Sequence, residues 1–305
     1  MNIEQQKNLR NLTTLKVGGV AEYFVEVHTD ENLTEAVQYA QMHSLAITVL
    51  GLGSNVLVSD AGIKGLVIHM RTKGITVSSD GEAVYVCASA GELLDDVVLY
   101  AVENGLWGIE NLSHIPGCVG ATPVQNVGAY GVEVSQVIKT VRAYNCSSHI
   151  FEQLTNALCD FGYRDSFFKT VEGKKYIITS VTFSLSKNKI PKIEYADLQN
   201  YFKDEIPTLA KIREAVIAIR KNKFPNWNEV GTAGSFFKNP IITKIQYVLL
   251  AERYEGLPGY NIDEDTVKLP LGWILDKTLH LKGYTVGSLS LYEKQALVLF
   301  CWHDV

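Results

Sequence analysis

Cysteine is scarce and scattered in this 305-residue chain. Cys87, Cys118, Cys146, Cys159 and Cys301 are odd in number and never spaced Cys-x-x-Cys. That pattern argues against a disulfide framework and against structural zinc, and it suits a reducing compartment. Long apolar runs are also missing. The longest, residues 296–302, is far too short to span a bilayer, and the start, Met1-Asn2-Ile3-Glu4-Gln5-Gln6-Lys7, lacks the apolar stretch of a secretory signal. Positive charge is not in excess: 28 Lys and Arg stand against 33 Asp and Glu, for a net −5, so no overall basic field collects nucleic acid or anionic lipid. The seven histidines show no metal-ligand spacing, so no metal site is expected. The expectation is a soluble, cytoplasmic protein with no nucleic-acid partner and no membrane insertion.

What is present is an ordinary globular balance, 47% hydrophobic and 20% charged. The length suits two or three domains with cores of their own. The first half alternates helix and strand. Asp30 is placed to cap a helix in which Leu33, Val37 and Ala40 recur at helical spacing. Residues 46–50 read as a buried strand, followed by Gly51-Leu52-Gly53-Ser54-Asn55 and a second strand at Val56-Leu57-Val58. Further strands are expected around 66–68, 83–86, 137–144 and 175–185, with a helix over 92–103 closed by Asn104-Gly105. Beyond a hydrophilic boundary near residue 190, Ile212, Ala215, Val216 and Ile219 mark one face of a helix. A further helix near 272–278 and a strand at 296–300 complete an α+β pattern of at least two units.

Several constellations have the residue types that chemistry needs. Gly51 and Gly53 allow close backbone approach, and successive N–H groups there could form an anion nest, although a plain tight turn explains the motif as well. Residues 113–131 hold four glycines and two prolines, with little charge. That composition suits a backbone wrapped around a flat or phosphorylated cofactor, the alternative being a packed crossover. Tyr163-Arg164-Asp165-Ser166 offers a planar guanidinium suited to a carboxylate or an enolate, or else an ordinary surface ion pair. In Gly231-Thr232-Ala233-Gly234-Ser235-Phe236-Phe237-Lys238-Asn239-Pro240 the serine is a positioned proton donor or a turn former. It does not sit in a nucleophile elbow. Lys211, Arg213, Arg220, Lys221 and Lys223 read as a solvated face near a helix C-terminus.

Four segments together resemble the UDP-N-acetylenolpyruvoylglucosamine reductase family: Gly-Leu-Gly-Ser-Asn-Val-Leu-Val at 51–58, Ile-Pro-Gly-Cys-Val-Gly at 115–120, Gly-Tyr-Arg-Asp-Ser at 162–166 and Ala-Gly-Ser-Phe-Phe-Lys-Asn-Pro at 233–240. The likeness runs in order from Thr14-Leu15-Lys16-Val17-Gly18-Gly19 to Gln295-Ala296-Leu297-Val298-Leu299. It implies an α+β protein with an FAD-binding fold of the vanillyl-alcohol-oxidase (PCMH) type in two subdomains, over residues 17–188. A C-terminal UDP-sugar-binding domain would follow over 200–305. It also implies that NADPH reduces FAD and that the hydride then passes to the enolpyruvyl group of UDP-N-acetylglucosamine enolpyruvate, giving UDP-N-acetylmuramate for peptidoglycan.

The same resemblance assigns residues. Gly51, Gly53, Ser54, Asn55, Ser113, Ile115, Pro116, Gly117, Val119, Gly120 and Arg220 would bind FAD. Tyr163, Tyr195, Lys223, Asn239 and Gln295 would contact the UDP-sugar, Tyr195 from a loop that closes over it. Arg164 would stabilise the enolate-like species and Ser235 would protonate it. Family members also carry a catalytic glutamate in a Leu-Glu-Pro-Glu-Val-Arg-like segment, and no residue up to Val305 matches it. A truncated substrate domain with exposed apolar surface is therefore expected, and a flavin- or UDP-sugar-binding remnant without useful catalysis is the alternative reading.

Overall fold

The computed structural model describes residues 1–203 and 205–302. They gather into two compact units, one made of residues 1–12, 18–53 and 58–220, the other of residues 13–17, 54–57 and those from 221 onward. The family segment expected after Val305 lies outside the described residues.

The first unit begins with a four-stranded sheet in the order β1 (Ile3–Asn8), β2 (Val20–Val27), β4 (Ile63–Met70), β3 (Ile47–Leu50). β2 and β3 both run parallel to β4. Helix α1 (Asp30–Met42) crosses from β2 to β3 and buries Leu33, Ala36, Val37 and Ala40, one apolar stripe at helical spacing. Its N-cap is Thr29, whose hydroxyl oxygen accepts from the Asn32 N–H at 3.2 Å. The expected cap, Asp30, stands instead in the first turn beside Glu31, where the helix dipole favours negative charge.

The strand expected at 56–58 is not formed. β3 and β4 are neighbours and parallel, so the chain leaving Leu50 must travel back the length of the sheet before Ile63 can start. Residues 51–62 are that return. Their apolar Val56 and Leu57 are exposed, while Val58 packs with Leu9, Phe24, Leu50 and Val67.

Strands β5 (Ile75–Asp80) and β6 (Ala83–Ser89) precede helix α2 (Leu94–Glu103). The loop from 104 to 137 holds a short hairpin, β7 (Gly128–Ala129) with β8 (Val132–Glu133). β9 (Ile138–Asn145), β10 (Ile150–Thr155) and β11 (Tyr176–Ser186) complete an antiparallel sheet in the order β10-β9-β11-β6-β5. Every second residue of β6 is buried, as is expected where one face is packed and the other is not. Val86, Val97, Val141, Val181 and Phe183 join Val25 and Ile68 of the first sheet and Leu33 of α1 in one core.

Helices α3 (Ala196–Phe202) and α4 (Leu209–Lys223) follow. Leu198 and Phe202 pack with Leu209, Ile212, Ala215 and Val216 against Trp107 and Tyr130. This cluster counts α4 with the first unit as far as Arg220, beyond the boundary expected near residue 190.

The second unit contains the sheet β12 (Gly231–Ser235), β18 (Gln295–Cys301), β17 (Leu289–Tyr292), β16 (Thr285–Val286). The smaller sheet β13 (Ile241–Thr243), β15 (Thr266–Lys268), β14 (Tyr260–Asn261) carries helix α5 (Lys244–Arg253). Residues 13–17 are stitched to β12 and β18. The Thr14 hydroxyl donates to the Thr232 carbonyl at 2.7 Å, and the Cys301 thiol to the Leu15 carbonyl at 3.2 Å. A capping box of Thr243 and Gln246 opens α5, which buries no side chain and leaves Ile245, Val248 and Leu249 exposed. Helix α6 (Leu271–Trp273) runs into a π-helical turn at Ile274–Thr278, where one helix was expected. No described helix is long and apolar enough to cross a membrane.

Candidate active site

Two glycine loops meet in the first unit. A Cβ on Gly51 would lie 3.1 Å from the Cys118 Cβ, tighter than side chains ordinarily pack, so glycine suits the close approach of the turn after β3 to the 113–131 loop. The Leu52 N–H adds a hydrogen bond to the Cys118 thiol, whose pKa is nevertheless raised because burial outweighs it. Gly53 is buried, yet among the described residues its N–H meets no acceptor, and neither do those of Ile115 and Gly117. A buried amide left without a partner is uncommon in a folded chain and costs stability. The buried Gly53 donor, with the half-buried donors of Ile115 and Gly117 beside small, uncharged residues, fits the phosphate oxygens and ring edge of a dinucleotide cofactor, so this cradle suits FAD.

The loop is fastened where it does not offer donors. The N–H groups of Val119 and Gly120 go to the carbonyls of Glu92 and Ala90, each within 2.9 Å. The Ser113 hydroxyl closes a turn on the Glu110 carbonyl at 2.5 Å. The Pro116 ring and the Ile115 side chain are half-buried. Ser54 and Asn55, the other expected flavin contacts, continue the chain after Gly53 and count with the second unit.

Arg164 sits at the third position of a tight turn in which the Gly162 and Asp165 backbones bond each other at 3.0 and 3.2 Å. Its φ of 54° is left-handed, a conformation that disfavours any residue with a Cβ. The guanidinium reaches the glycine loop, donating from Nη2 to the Gly128 carbonyl at 2.8 Å and from Nη1 to the Asn126 carbonyl at 3.3 Å. It also lies 5.9 Å from the Tyr163 ring centroid. No surface ion pair with Asp165 forms; that carboxylate accepts from the Ser166 N–H instead. Backbone strain of this kind, of order 1–3 kcal/mol, persists where the surroundings enforce it and concentrates at functional sites. His114, Asn126 and Tyr130, all on the same loop, are left-handed as well.

Tyr195 precedes α3. It is 45% exposed, and its ring stands edge-on to Tyr130 with centroids 5.4 Å apart. Tyr130 itself is buried, which pushes its pKa up to about 12, although a hydrogen bond with Arg220 and that guanidinium's charge work the other way.

In the second unit, Ser235 ends β12. Thr232 pairs with Phe300 and Ser235 with Val298, so three steps on β12 face two on β18 and a bulge results. Gly234, at φ 69°, supplies the left-handed residue this bulge needs. Ser235 is exposed, and its hydroxyl has no hydrogen-bond partner among the described residues. Asn239 Oδ1 accepts from the Leu271 N–H at 3.0 Å and so ties its loop to α6. Gln295 Oε1 lies 3.2 Å from where a Cβ on Gly272 would stand. Lys223 ends α4 and belongs to this unit. Among the described residues, no group of His, Cys, Asp or Glu is placed to hold a metal ion.

Two family models match the chain. One, described as an FAD binding domain, covers residues 21–152; the other, the C-terminal domain of UDP-N-acetylenolpyruvoylglucosamine reductase, covers residues 225–302. The UDP-N-acetylenolpyruvoylglucosamine reductase of Neisseria meningitidis serogroup A is 40% identical over 304 residues, spanning 97% of this chain and 87% of that protein. This chain belongs to the UDP-N-acetylenolpyruvoylglucosamine reductase family. The reductase of Flavobacterium johnsoniae is 38% identical, covering 98% of this chain and 89% of its own length. Among solved structures, the reductase from Thermus caldophilus aligns with a TM-score of 0.70 at 25% identity, over 100% of this chain and 90% of that one. The fold is therefore the expected α+β one, an FAD-binding domain with a further C-terminal domain.

For a reductase-family chain, the sequence pattern misjudged part of α4. Arg213 and Arg220 are not a solvated face. They stand seven residues apart, two helical turns, and therefore share one side of the helix. Arg213 grips Asp95 with two bonds of 2.6 and 2.9 Å, and Asp95 Oδ1 in turn accepts the His114 N–H at 2.5 Å. Arg220 Nε donates to the His114 carbonyl at 3.0 Å. The left-handed residue that opens the cofactor loop is thus held by both ends of its own backbone. Arg213 was read from the sequence only as part of a solvated face, and Asp95 was not singled out. An acidic residue in the first turn of α2 and an arginine two turns before Arg220 were the available signals.

Proposed function

We propose that this chain reduces the enolpyruvyl group of UDP-N-acetylglucosamine enolpyruvate to give UDP-N-acetylmuramate, a step of peptidoglycan biosynthesis, with FAD as the hydride carrier and NADPH as the donor. The observation that carries the reading is the arginine turn. In one unit, a strained Arg164 is held against the glycine loop whose Ile115 and Gly117 N–H groups, with that of Gly53 on the neighbouring loop, meet no acceptor among the described residues.

Bound FAD would supply the hydride chemistry, taking it from NADPH and delivering it to the terminal enolpyruvyl carbon. The rest falls to side chains of this protein. As hydride arrives, negative charge grows on the neighbouring carbon and spreads into the substrate carboxylate. Arg164, with its planar fork already oriented by two loop carbonyls, stabilises that charge without reorganising. Ser235 supplies the proton to the same carbon. Its hydroxyl is exposed and not engaged by any described group, as a donor to a bound substrate must be. Tyr163, Tyr195, Lys223, Asn239 and Gln295 hold the UDP-sugar, and Tyr195 and Lys223 suit its diphosphate. NADPH and the sugar nucleotide bind in turn. A cytoplasmic setting agrees with five unpaired cysteines.

Anaerobic stopped-flow separates the two half-reactions. Purified, yellow protein should lose flavin absorbance with NADPH and regain it on adding the UDP-sugar. In Ser235→Ala the first phase should persist and the second stall. Reduced wild-type flavin that is not reoxidised on adding the UDP-sugar would reject the reaction. Equal loss of both phases in the variant would make Ser235 structural.

A further inference from the structure

Asn111 is fully buried in the turn Glu110–Leu112, and the proposed reaction assigns it nothing. Its amide nitrogen donates twice, to the Tyr130 carbonyl and to the Lys192 carbonyl, both at 2.8 Å. Those two carbonyls belong to different parts of the chain. Tyr130 is the left-handed residue that turns the cofactor loop, at φ 48°. Lys192 stands three residues before Tyr195 in a stretch without regular secondary structure, and among the described residues its backbone makes no other hydrogen bond. The Tyr195 ring then returns to Tyr130 at 5.4 Å, and its Cβ lies 3.9 Å from where a Cβ on Gly131 would be. The amide therefore closes a small circuit: Asn111, Tyr130, Tyr195, and back through Lys192.

One half of this amide is unsatisfied. Asn111 Oδ1 is buried and meets no donor among the described residues. A buried acceptor without a partner destabilises a fold, and an apolar side chain of the same shape would avoid that cost. Both donors, by contrast, are fully used. What the asparagine contributes is the joining of two carbonyls.

We infer that Asn111 is a positioning residue for the sugar half-reaction, setting where Tyr195 stands relative to the cofactor loop by tying the Lys192 and Tyr130 carbonyls together. This rests on the proposed reductase activity and on Tyr195 contacting the UDP-sugar. Asn111 itself touches neither substrate nor cofactor; it acts through Tyr195. Freed from the amide, the 189–194 stretch would sample many conformations, and ordering Tyr195 would then weaken substrate binding.

The test is a double-mutant cycle on the KM for the UDP-sugar. Asn111→Leu removes both donors and keeps the volume. It should raise that KM about tenfold, the scale of coupling between touching residues, while NADPH still reduces the flavin at the wild-type rate and FAD content is unchanged. In a Tyr195→Ala background the same substitution should alter KM less than about twofold. Asn111→Ser, which keeps one donor, should fall between wild type and Asn111→Leu. The inference is overturned if the two substitutions multiply, if KM does not move, or if flavin reduction and FAD content fall together with it. Should Asn111→Leu not fold, Asn111→Ser goes through the same cycle, and the same three results would overturn the inference. A wild-type protein that fails to oxidise NADPH in response to the UDP-sugar marks failure of the reaction itself, and the tyrosine cycle then has no signal to read.

Discussion

Replacing Arg213 with Met tests the two-arginine clamp directly, because methionine keeps the apolar stem of the side chain and removes only the fork. In the wild type, the Arg213 side chain is 13% exposed and that of Asp95 29%. Removing one partner of a fully buried ion pair costs about 3–5 kcal/mol, most of it the penalty of stranding the other charge. Water still reaches Asp95, so roughly 2–3 kcal/mol is the better expectation for this pair. At roughly 2–4 °C per kcal/mol, the midpoint of unfolding of the first unit should fall by about 4–12 °C.

The pH dependence of this effect has a sign as well as a size. Burial raises the Asp95 pKa, but the bonds from Arg213 and the His114 N–H outweigh it and the carboxyl ends below its ordinary value. A depressed carboxylate pKa contributes stability that is present above the unfolded value and is lost as pH falls through the folded one. In Arg213→Met only the burial and the His114 bond remain, so Asp95 should take up a proton at a higher pH than in the wild type. The gap between the two proteins should therefore be widest near neutrality and narrow as the pH falls towards about 4. Flavin fluorescence on release reports unfolding of the cofactor unit, and the ratio of flavin to protein absorbance reports retention. A shift under about 2 °C with full flavin, or a gap that ignores pH, would refute the clamp.

Two further outcomes are expected. At position 164 glycine should give a more stable protein than alanine by about 1 kcal/mol in urea unfolding, because the left-handed φ penalises a Cβ. Both variants should lose sugar reduction, and alanine matching or exceeding glycine in stability would mean that the turn is not strained. The Tyr130 phenol, pushed up to about 12 by burial, should be the last tyrosine to ionise when absorbance near 295 nm is followed with pH. Its folded value lies above the usual one, so its contribution is present below about pH 10 and is lost between there and pH 12. Tyr130→Phe should delete that final step; an unchanged titration curve would contradict the burial argument.

The sequence spoke most clearly where one physical rule acts alone. Strand-forming residues at 83–86 and 175–185 announced β6 and β11, and the spacing of Leu33, Val37 and Ala40 announced α1. It said least where the determinant is a partner far along the chain. Val56-Leu57-Val58 has strand-forming residues, but the parallel pairing of β3 with β4 requires that stretch to be a return. β5 went unrecognised because it is an edge strand, and all its residues after Ile75 are exposed. For the candidate site, short motifs flagged Gly51, Gly117 and Arg164 because glycine freedom and a planar cation are properties of single residues.

Arg213 and Asp95 are 118 positions apart, and Asn111 and Lys192 are 81. Nothing local distinguishes such an arginine from a solvated one. Yet these distant partners are what hold the loop in place. His114 and Tyr130 occupy left-handed backbone that neither would choose in a free peptide. The strain at His114 is held by bonds to its own N–H and carbonyl. A motif such as Ile-Pro-Gly-Cys-Val-Gly therefore specifies a loop that could accept a cofactor, whereas its shape depends on charges contributed by α2 and α4. It follows that substitutions at Asp95 or Arg213 should loosen the cofactor loop, and one at Asn111 the placement of Tyr195, while leaving every recognisable motif intact.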